Sequence, residues 1–409
     1  MNFRIIAYIV GWVCNFQAIF MLLPFFTALI YQEQEFSSFL AAMAVCLVIG
    51  IPLTIKKPKN KVFYTKDGCV AVALSWLALC IFGAVPFVVS GYIPHPIDAL
   101  FETVSGFTTT GSSILTDVEV LPHCILIWRS FTHWIGGMGV LVFLLSLLPL
   151  AGGYHMNLMK AESPGPSVSK LVPKVQSTAK ILYTIYFGMT IIQIILLLIG
   201  KVPLFDTLCI AFGTAGTGGF GIVNDSLGSY STYCQVITTI FMILFGVNFS
   251  AYYLVLTKKF RQAFKYEEVR YYFGIIAVSI LIITLNTAHL FRNIQTAFQQ
   301  AAFQVGSIIT TTGFSSTDFN QWPALSKTVL VLLMFVGACA GSTGGGIKVS
   351  RILILCKAAK KEFQLYLHPN AVKKIKMDNK NITHEILRST NIYISVYLLI
   401  FAASVLLIA

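Results

Sequence analysis

Charged side chains are scarce in this sequence: Asp, Glu, Lys and Arg make up 11% of its 409 residues, against 56% hydrophobic. That shortage excludes a soluble globule of this size, because too few polar groups exist to cover its surface, and the bilayer is left as the solvent. The nine cysteines (14, 46, 69, 80, 124, 209, 234, 339, 356) include no Cys-x-x-Cys pair and sit mostly in apolar runs. Neither a disulfide framework nor a zinc site is expected from them. The seven histidines form no His-x-x-His or His-Glu-x-x-His cluster, and there is no Gly-x-Ser-x-Gly elbow, so no enzyme is expected. Two glycine runs also fall short of nucleotide motifs. After Gly346 a Walker loop would need Lys and then Ser or Thr, but Ile347 intervenes; the glycines from Gly213 to Gly221 follow no strand.

What the chain has instead is apolar length. Runs of about 20 residues, enough to cross a bilayer, lie near Ile5 to Ile30, Phe39 to Ile55, Val70 to Val89, Cys124 to Leu150, Ile181 to Ile199, Tyr233 to Leu256, Tyr271 to Leu290, Leu325 to Cys356 and Ile392 to Ala409. The first follows Arg4 but is long and lacks a small-residue cleavage pattern, so it reads as a retained helix. If spans alternate from a cytoplasmic N-terminus, 25 of the 29 Lys and Arg fall inside and nine of the 16 acids fall outside. This is the positive-inside bias of a cytoplasmic (inner) membrane protein. The net charge of +13 is then accounted for by anionic lipid and requires no nucleic acid, while an acidic outer face would gather cations.

Three shorter segments, Ala99–Ser112, Phe205–Phe220 and Ala297–Phe314, each end in Thr and Gly. Equating Thr110-Gly111, Thr217-Gly218 and Thr312-Gly313 spaces the copies 107 and 95 residues apart, the length of two membrane helices with their loops rather than of a soluble solenoid repeat. Each segment offers only about 10 to 14 helical residues, too few to cross. It must re-enter, which bare backbone tolerates only where it is buried in protein or lines a watery cavity. The expected fold is an all-α polytopic membrane protein of helix, re-entrant loop and helix units around a central pore. Two leading helices fill 1–66, pore units fill 67–150, 151–257 and 258–356, and a basic segment with the first helix of an incomplete fourth unit fills 357–409.

Potassium crossing a membrane exchanges its water shell for oxygen ligands, which converging carbonyls supply. Glycine lets those carbonyls turn inward and leaves the lumen clear. The expected filter residues are Thr109, Thr110, Gly111, Thr217, Gly218, Thr311, Thr312 and Gly313, with potassium at Thr110, Gly111, Thr217, Gly218, Thr312 and Gly313. No acid lies within the Thr-Gly cores, which argues against a calcium or magnesium cage. A single such turn would be no more than a glycine helix cap; three copies after helices too short to span imply a pore, for which a receptor or scaffold would have no need. The run Gly337, Ala338, Cys339, Ala340, Gly341, Ser342, Thr343, Gly344, Gly345 and Gly346 interrupts a long span. It is read as an unwound, movable plug below the filter, the alternative being close helix packing. For the shorter Trp134–Gly139 stretch, packing is the preferred reading. Arg129 and His133 are expected to snorkel or pair with a carboxylate, and Asn248 to hydrogen-bond between helices.

The residues Ser105–Gly111, Thr217–Phe220, Ile309–Gly313, Cys339–Lys348 and Ala161–Pro166 resemble the membrane subunit of the Trk/Ktr/HKT potassium-transport superfamily, most closely its bacterial Trk members. The resemblance implies filter glycines at Gly111, Gly218 and Gly313, an intramembrane gating loop at 337–346, homodimers and a cytosolic ring of nucleotide-binding regulatory subunits, with no cofactor beyond the transported potassium. Lys348 to Arg388 is the expected dock for that ring, with lipid anchoring as the alternative. The family carries four filter loops, and a fourth at this spacing would fall beyond Ala409, so a longer protein is expected. Glycine at all three filter positions favours potassium, since sodium-selective plant relatives carry serine in the first. A sodium-permeable or sodium- or proton-coupled symporter on the same scaffold is the alternative.

Overall fold

The computed structural model describes residues 1–58, 64–137, 139, 175–368, 374–378 and 380–408. The boundary expected at 150/151, the Ala161–Pro166 segment and most of the span beyond Gly137 lie outside the described residues. The chain is almost wholly helical. Helices α1 (Phe3–Phe20) and α2 (Leu22–Ile30) make one 28-residue span, followed by α3 (Phe36–Ile55) and α4 (Thr65–Ser90). Then come α5 (Pro96–Phe107), α6 (His123–Gly137), α7 (Val175–Ile199), α8 (Leu204–Ala215), α9 (Thr232–Phe245), α10 (Phe249–Leu256) and α11 (Phe260–Ala263). The last group is α12 (Glu267–Thr287), α13 (Ile294–Ile309), α14 (Ala324–Val336), α15 (Val349–Leu367) and α16 (His384–Ile408), with a hairpin of β1 (Lys376–Met377) and β2 (Lys380–Asn381) before α16.

Six helices are long and apolar enough to cross a membrane among the described residues, or seven if α9 and α10 count as one bent span. Helices α5 and α8 have 12 residues each and α13 has 16. At 1.5 Å per residue they reach only part way through a core about 30 Å thick. Their starts carry the expected chemistry: Pro96 opens α5 where its missing N–H costs nothing, and Asp98 and Asp206 sit in the first turns of α5 and α8, facing the positive end of each dipole.

Two expected spans are not straight. The run Tyr233 to Leu256 bends by 94° between α9 and α10, where Gly246 ends one helix and the Asn248 side chain caps the next through the Ser250 N–H at 2.8 Å. The run Leu325 to Cys356 is unwound from Gly337 to Lys348, between α14 and α15. Apolar burial is shared among several clusters. Trp128, Phe39, Phe87 and Phe107 centre the one joining α1, α3, α4, α5 and α6, and Tyr272, Val305 and Leu330 belong to the one joining α12, α13 and α14. In contrast, α16 is bare along its apolar length, touching the rest through Phe335 on Phe401 and Arg351 over the Tyr393 ring. Such a surface suits lipid. All nine cysteines are free thiols, seven of them buried.

Candidate functional site: three loops over a broken helix

The loops that follow α5, α8 and α13 share one backbone trace. Thr109, Thr217 and Thr311 all take left-handed conformations (φ 55°, 53° and 60°), and two residues later Gly111, Gly219 and Gly313 do so again (φ 77°, 75° and 90°). A threonine in this region costs about 1–2 kcal/mol, so three at equivalent places mark an imposed geometry. Each loop is closed by the same pair of backbone bonds. Thr109, Thr217 and Thr311 donate to Gly106, Thr214 and Ile308, and the next residue donates to Ser105, Gly213 and Ser307 at 2.9–3.0 Å.

This trace equates Gly219, rather than Gly218, with Gly111 and Gly313, one residue beyond the register expected from the Thr-Gly pairs. The reason is steric. Gly218 is not left-handed; it is glycine because a Cβ there would lie 2.3 Å from the His133 ring. Gly219 both needs the left-handed region and abuts its neighbour, a Cβ falling 2.0 Å from the Thr312 carbonyl oxygen. Likewise a Cβ on Gly111 would fall 2.0 Å from the Gly218 carbonyl oxygen and 3.9 Å from that of Thr312. The three loops therefore converge, Gly111 and Gly219 each set against the next loop's carbonyl. The flank of Gly313 has nothing within 4 Å.

Behind the loops, the first is held by charge. Glu102 and Arg129 are both almost fully buried, with Arg129 Nε 2.8 Å from Glu102 Oε1. Glu102 also accepts from the Ser113 hydroxyl at 3.0 and 3.1 Å and from the Ile114 N–H at 3.2 Å. Arg129 reaches on to the second loop, donating to the Gly221 carbonyl at 3.3 Å and lying 4.3 Å over the Phe220 ring. Of the two roles expected for Arg129, pairing with a carboxylate is the observed one. His133, fully buried, stacks on Phe220 at 4.2 Å. In the third loop Gln304 and Ser315 occupy the places of Glu102 and Ser113, seven residues before and four after the left-handed threonine, and meet at 3.4 Å. That shared spacing was the sequence signal for the brace; Glu102 and Gln304 lie outside the expected site. Outside, Asn224 links the first two loops through Asp117 and Glu119, and Leu227 N–H binds the Ser315 carbonyl at 2.8 Å. At this rim the Asn320 amide holds the Asp318 carboxyl below the usual range.

The interrupted helix lies against the loops at Thr217 and Thr311. Thr217 Oγ1 donates to the Thr343 carbonyl at 3.0 Å, and the Gly345 N–H donates to Thr311 Oγ1 at 2.7 Å. A Cβ on Gly344 would stand 2.9 Å from the Thr310 carbonyl oxygen, and Gly337 and Gly346 pass so closely that a Cβ on either meets the other's Cα at 2.5–2.8 Å. Thr343 Oγ1 donates to Phe245, the Cys339 N–H to Gly246, and the Lys348 ammonium to Gly344. In the Trp134–Gly139 stretch, Gly136 packs on the Phe107 carbonyl and Gly137 on Gly216. Asn248 lies against Gly341 as well as capping α10.

A model of the TrkH family, described as a cation transport protein, matches residues 35–409. The chain belongs to the TrkH family. Relatives include the Trk system potassium uptake protein TrkH of Salmonella typhimurium, 35% identical with 100% of this chain and 86% of the relative covered. The protein of that name from Escherichia coli K12 has the same identity and coverage. The crystal structure of the potassium transporter TrkH from Vibrio parahaemolyticus superposes with a TM-score of 0.88 at 30% identity, covering 98% of this chain and 85% of that one. Membership in the TrkH family makes this a multi-pass membrane transport protein, consistent with its apolar helices.

Proposed function

We propose that this chain takes up potassium across the cytoplasmic membrane through a carbonyl filter built by Thr109, Thr110, Gly111, Thr217, Gly218, Thr311, Thr312 and Gly313, together with Gly219. One observation carries the reading: the Gly218 and Thr312 carbonyl oxygens stand beside the glycines of the preceding loops. Peptide oxygens so placed replace the hydration shell of a monovalent cation without the tight hold of carboxylates. Potassium uptake is also what the names of the TrkH relatives state. Residues 337–346 form the gate in this reading, since they lie against Thr217 and Thr311 on the side away from the acidic rim. The pore units are 67–150, 151–257 and 258–356, the N-terminus is cytoplasmic, and the membrane potential drives inward flow. The family resemblance adds a homodimer and a cytosolic nucleotide-binding ring docked on the basic stretch from Lys348 to Arg388.

Rubidium uptake into liposomes, competed by sodium, tests the filter. Uptake is expected to resist sodium in the native protein and to yield to it in a folded Gly313→Ser variant. Equal permeation of both ions by the native protein removes potassium selectivity and leaves the sodium-permeable alternative. Deleting part of 337–346 is expected to raise flux, and unchanged or lower flux defeats the gate.

A further inference from the structure

Glu268 lies in the first turn of α12, yet it is only 3% exposed. Its Oε1 accepts the Ala340 N–H at 2.6 Å, within the glycine-rich loop, and the Ser350 N–H at 3.1 Å, in the first turn of α15. One carboxylate oxygen thus ties the unwound segment to the point where the helix restarts. A buried carboxylate is costly unless it is hydrogen-bonded; here it gains from both amides and from the positive end of the α15 dipole. The loop's bonds to Gly246, Phe249 and Thr311 run to neutral partners, and the charged group donating to it is the Lys348 ammonium, on the Gly344 carbonyl. Among the described residues Glu268 is the one carboxylate bonded to it.

The preceding residue has other partners. The Glu267 N–H donates to Asp378 Oδ1 in the hairpin turn at 2.8 Å. Its carboxylate pairs with Lys357 of α15, and Lys357 donates in turn to the Lys376 carbonyl at 2.7 Å. Between these two sets of contacts lies a cavity of about 470 Å³, with Asn248, Glu268, Ala340 and Ser350 among its walls and Asp378 and Lys380 of the hairpin across from them. Adjacent residues of the first turn of α12 therefore hold the hairpin on one side and the loop on the other.

We infer that Glu268 is the positioning residue that keeps the 337–346 loop seated beneath the filter, and that strands β1 and β2 with Asp378, acting through Glu267, are the handle that moves it. The inference rests on the loop being the gate. The hairpin is the mobile arm in this scheme, since rotating the first turn of α12 withdraws Oε1 from Ala340 and unseats the loop without touching Thr217 or Thr311.

Cys339, fully buried beside Ala340, reports the seating directly. In proteoliposomes with the hairpin side accessible, a membrane-impermeant thiol reagent followed by peptide mass spectrometry is expected to spare Cys339 in the native protein. It should label Cys339 about tenfold faster in Glu268→Ala, with a smaller gain in Glu268→Gln, which keeps one acceptor. Rubidium flux should rise in the same order with sodium competition unchanged. Native-rate labelling in folded Glu268→Ala overturns the proposal. If that variant does not fold, Asp378→Ala, which removes the acceptor of the Glu267 N–H, is expected to speed labelling, and native-rate labelling there overturns it equally. Loop deletion raising flux while Cys339 stays protected in Glu268→Ala removes Glu268 and spares the gate. Faster labelling without a change in flux keeps Glu268 as the loop's anchor and removes the gate.

Discussion

The first and second Thr-Gly loops have the same backbone and opposite supports. Around the first, Glu102 and Ser113 stand seven residues before and four after the left-handed threonine and form a buried network with Arg129. In the second, the same two places are Ile210 and Gly221, and the residues flanking Thr217 are Gly216 and Gly218 where the first loop has Thr108 and Thr110. The Thr108 and Thr110 hydroxyls meet at 2.8 Å, as Thr310 and Thr312 do at 2.7 Å in the third loop. The second loop has neither brace nor hydroxyl pair. It borrows its support from α6, through Arg129 on the Gly221 carbonyl and His133 packed into the space above Gly218. Backbone geometry is the repeated quantity in this molecule, and side-chain chemistry is free to vary so long as the same turns stay closed.

The largest effect should come from breaking the borrowed support. Arg129→Met leaves the Glu102 carboxylate buried and unpaired and removes the tie to Gly221, so a loss of about 3–5 kcal/mol is expected in thermal unfolding in detergent. Adding Glu102→Gln to that variant, which copies the third loop, should recover much of the loss. Gln304→Leu, acting on bonds of 3.3–3.4 Å, should cost only about 1 kcal/mol. Equal losses for Arg129→Met and Gln304→Leu would mean that the charge adds nothing to the brace.

The next contrast separates neighbouring glycines. Gly219→Ala should lower rubidium flux by about tenfold or more, because its Cβ meets backbone that cannot yield. Gly218→Ala meets a side chain instead, so His133→Ala should restore flux to that variant and leave Gly219→Ala unimproved. Rescue of both would refute the shifted register.

The smallest effect lies at the N-terminal end of α6, where Glu33 accepts the His123 and Cys124 N–H groups at 2.6 and 2.9 Å. Burial raises this carboxyl, but hydrogen bonds from Cys124 and His123 outweigh it and hold it below the ordinary carboxylate range. A depressed folded value means that the cap contributes fully above that range and fades as pH falls through the lowered value. With solvent screening the contribution is below about 1 kcal/mol. Glu33→Gln should flatten the acid side of the thermal-stability profile slightly, and an unchanged slope would show that the cap does not titrate.

The short helices before the loops were legible because length is a physical limit: the 12 residues of α5 or α8 cannot cross a bilayer, whatever their neighbours. The interruption of the helix was legible because five glycines from Gly337 to Gly346 are incompatible with a stable helix. Glu268 was not, since an acid at the start of a helix looks like an ordinary dipole partner. Its second role depends on Ala340, far along the chain. The bend at Gly246–Asn248 was hidden for a similar reason, because the apolar run continues unbroken through it.

Taken alone, the sequence determined the solvent, the number and kind of repeated units and the approximate place of the loops, because hydrophobicity, charge asymmetry and glycine content act locally or sum along the chain. The tertiary structure decided which glycine of the pair at 218 and 219 turns left-handed, which buried charge holds which loop, and what anchors the interrupted helix. Those choices are settled by contacts between segments far apart in the chain, 27 residues for Arg129 with Glu102 and 72 for Glu268 with Ala340, and a collision of 2.0 Å with another loop's carbonyl outweighs any preference of the local sequence.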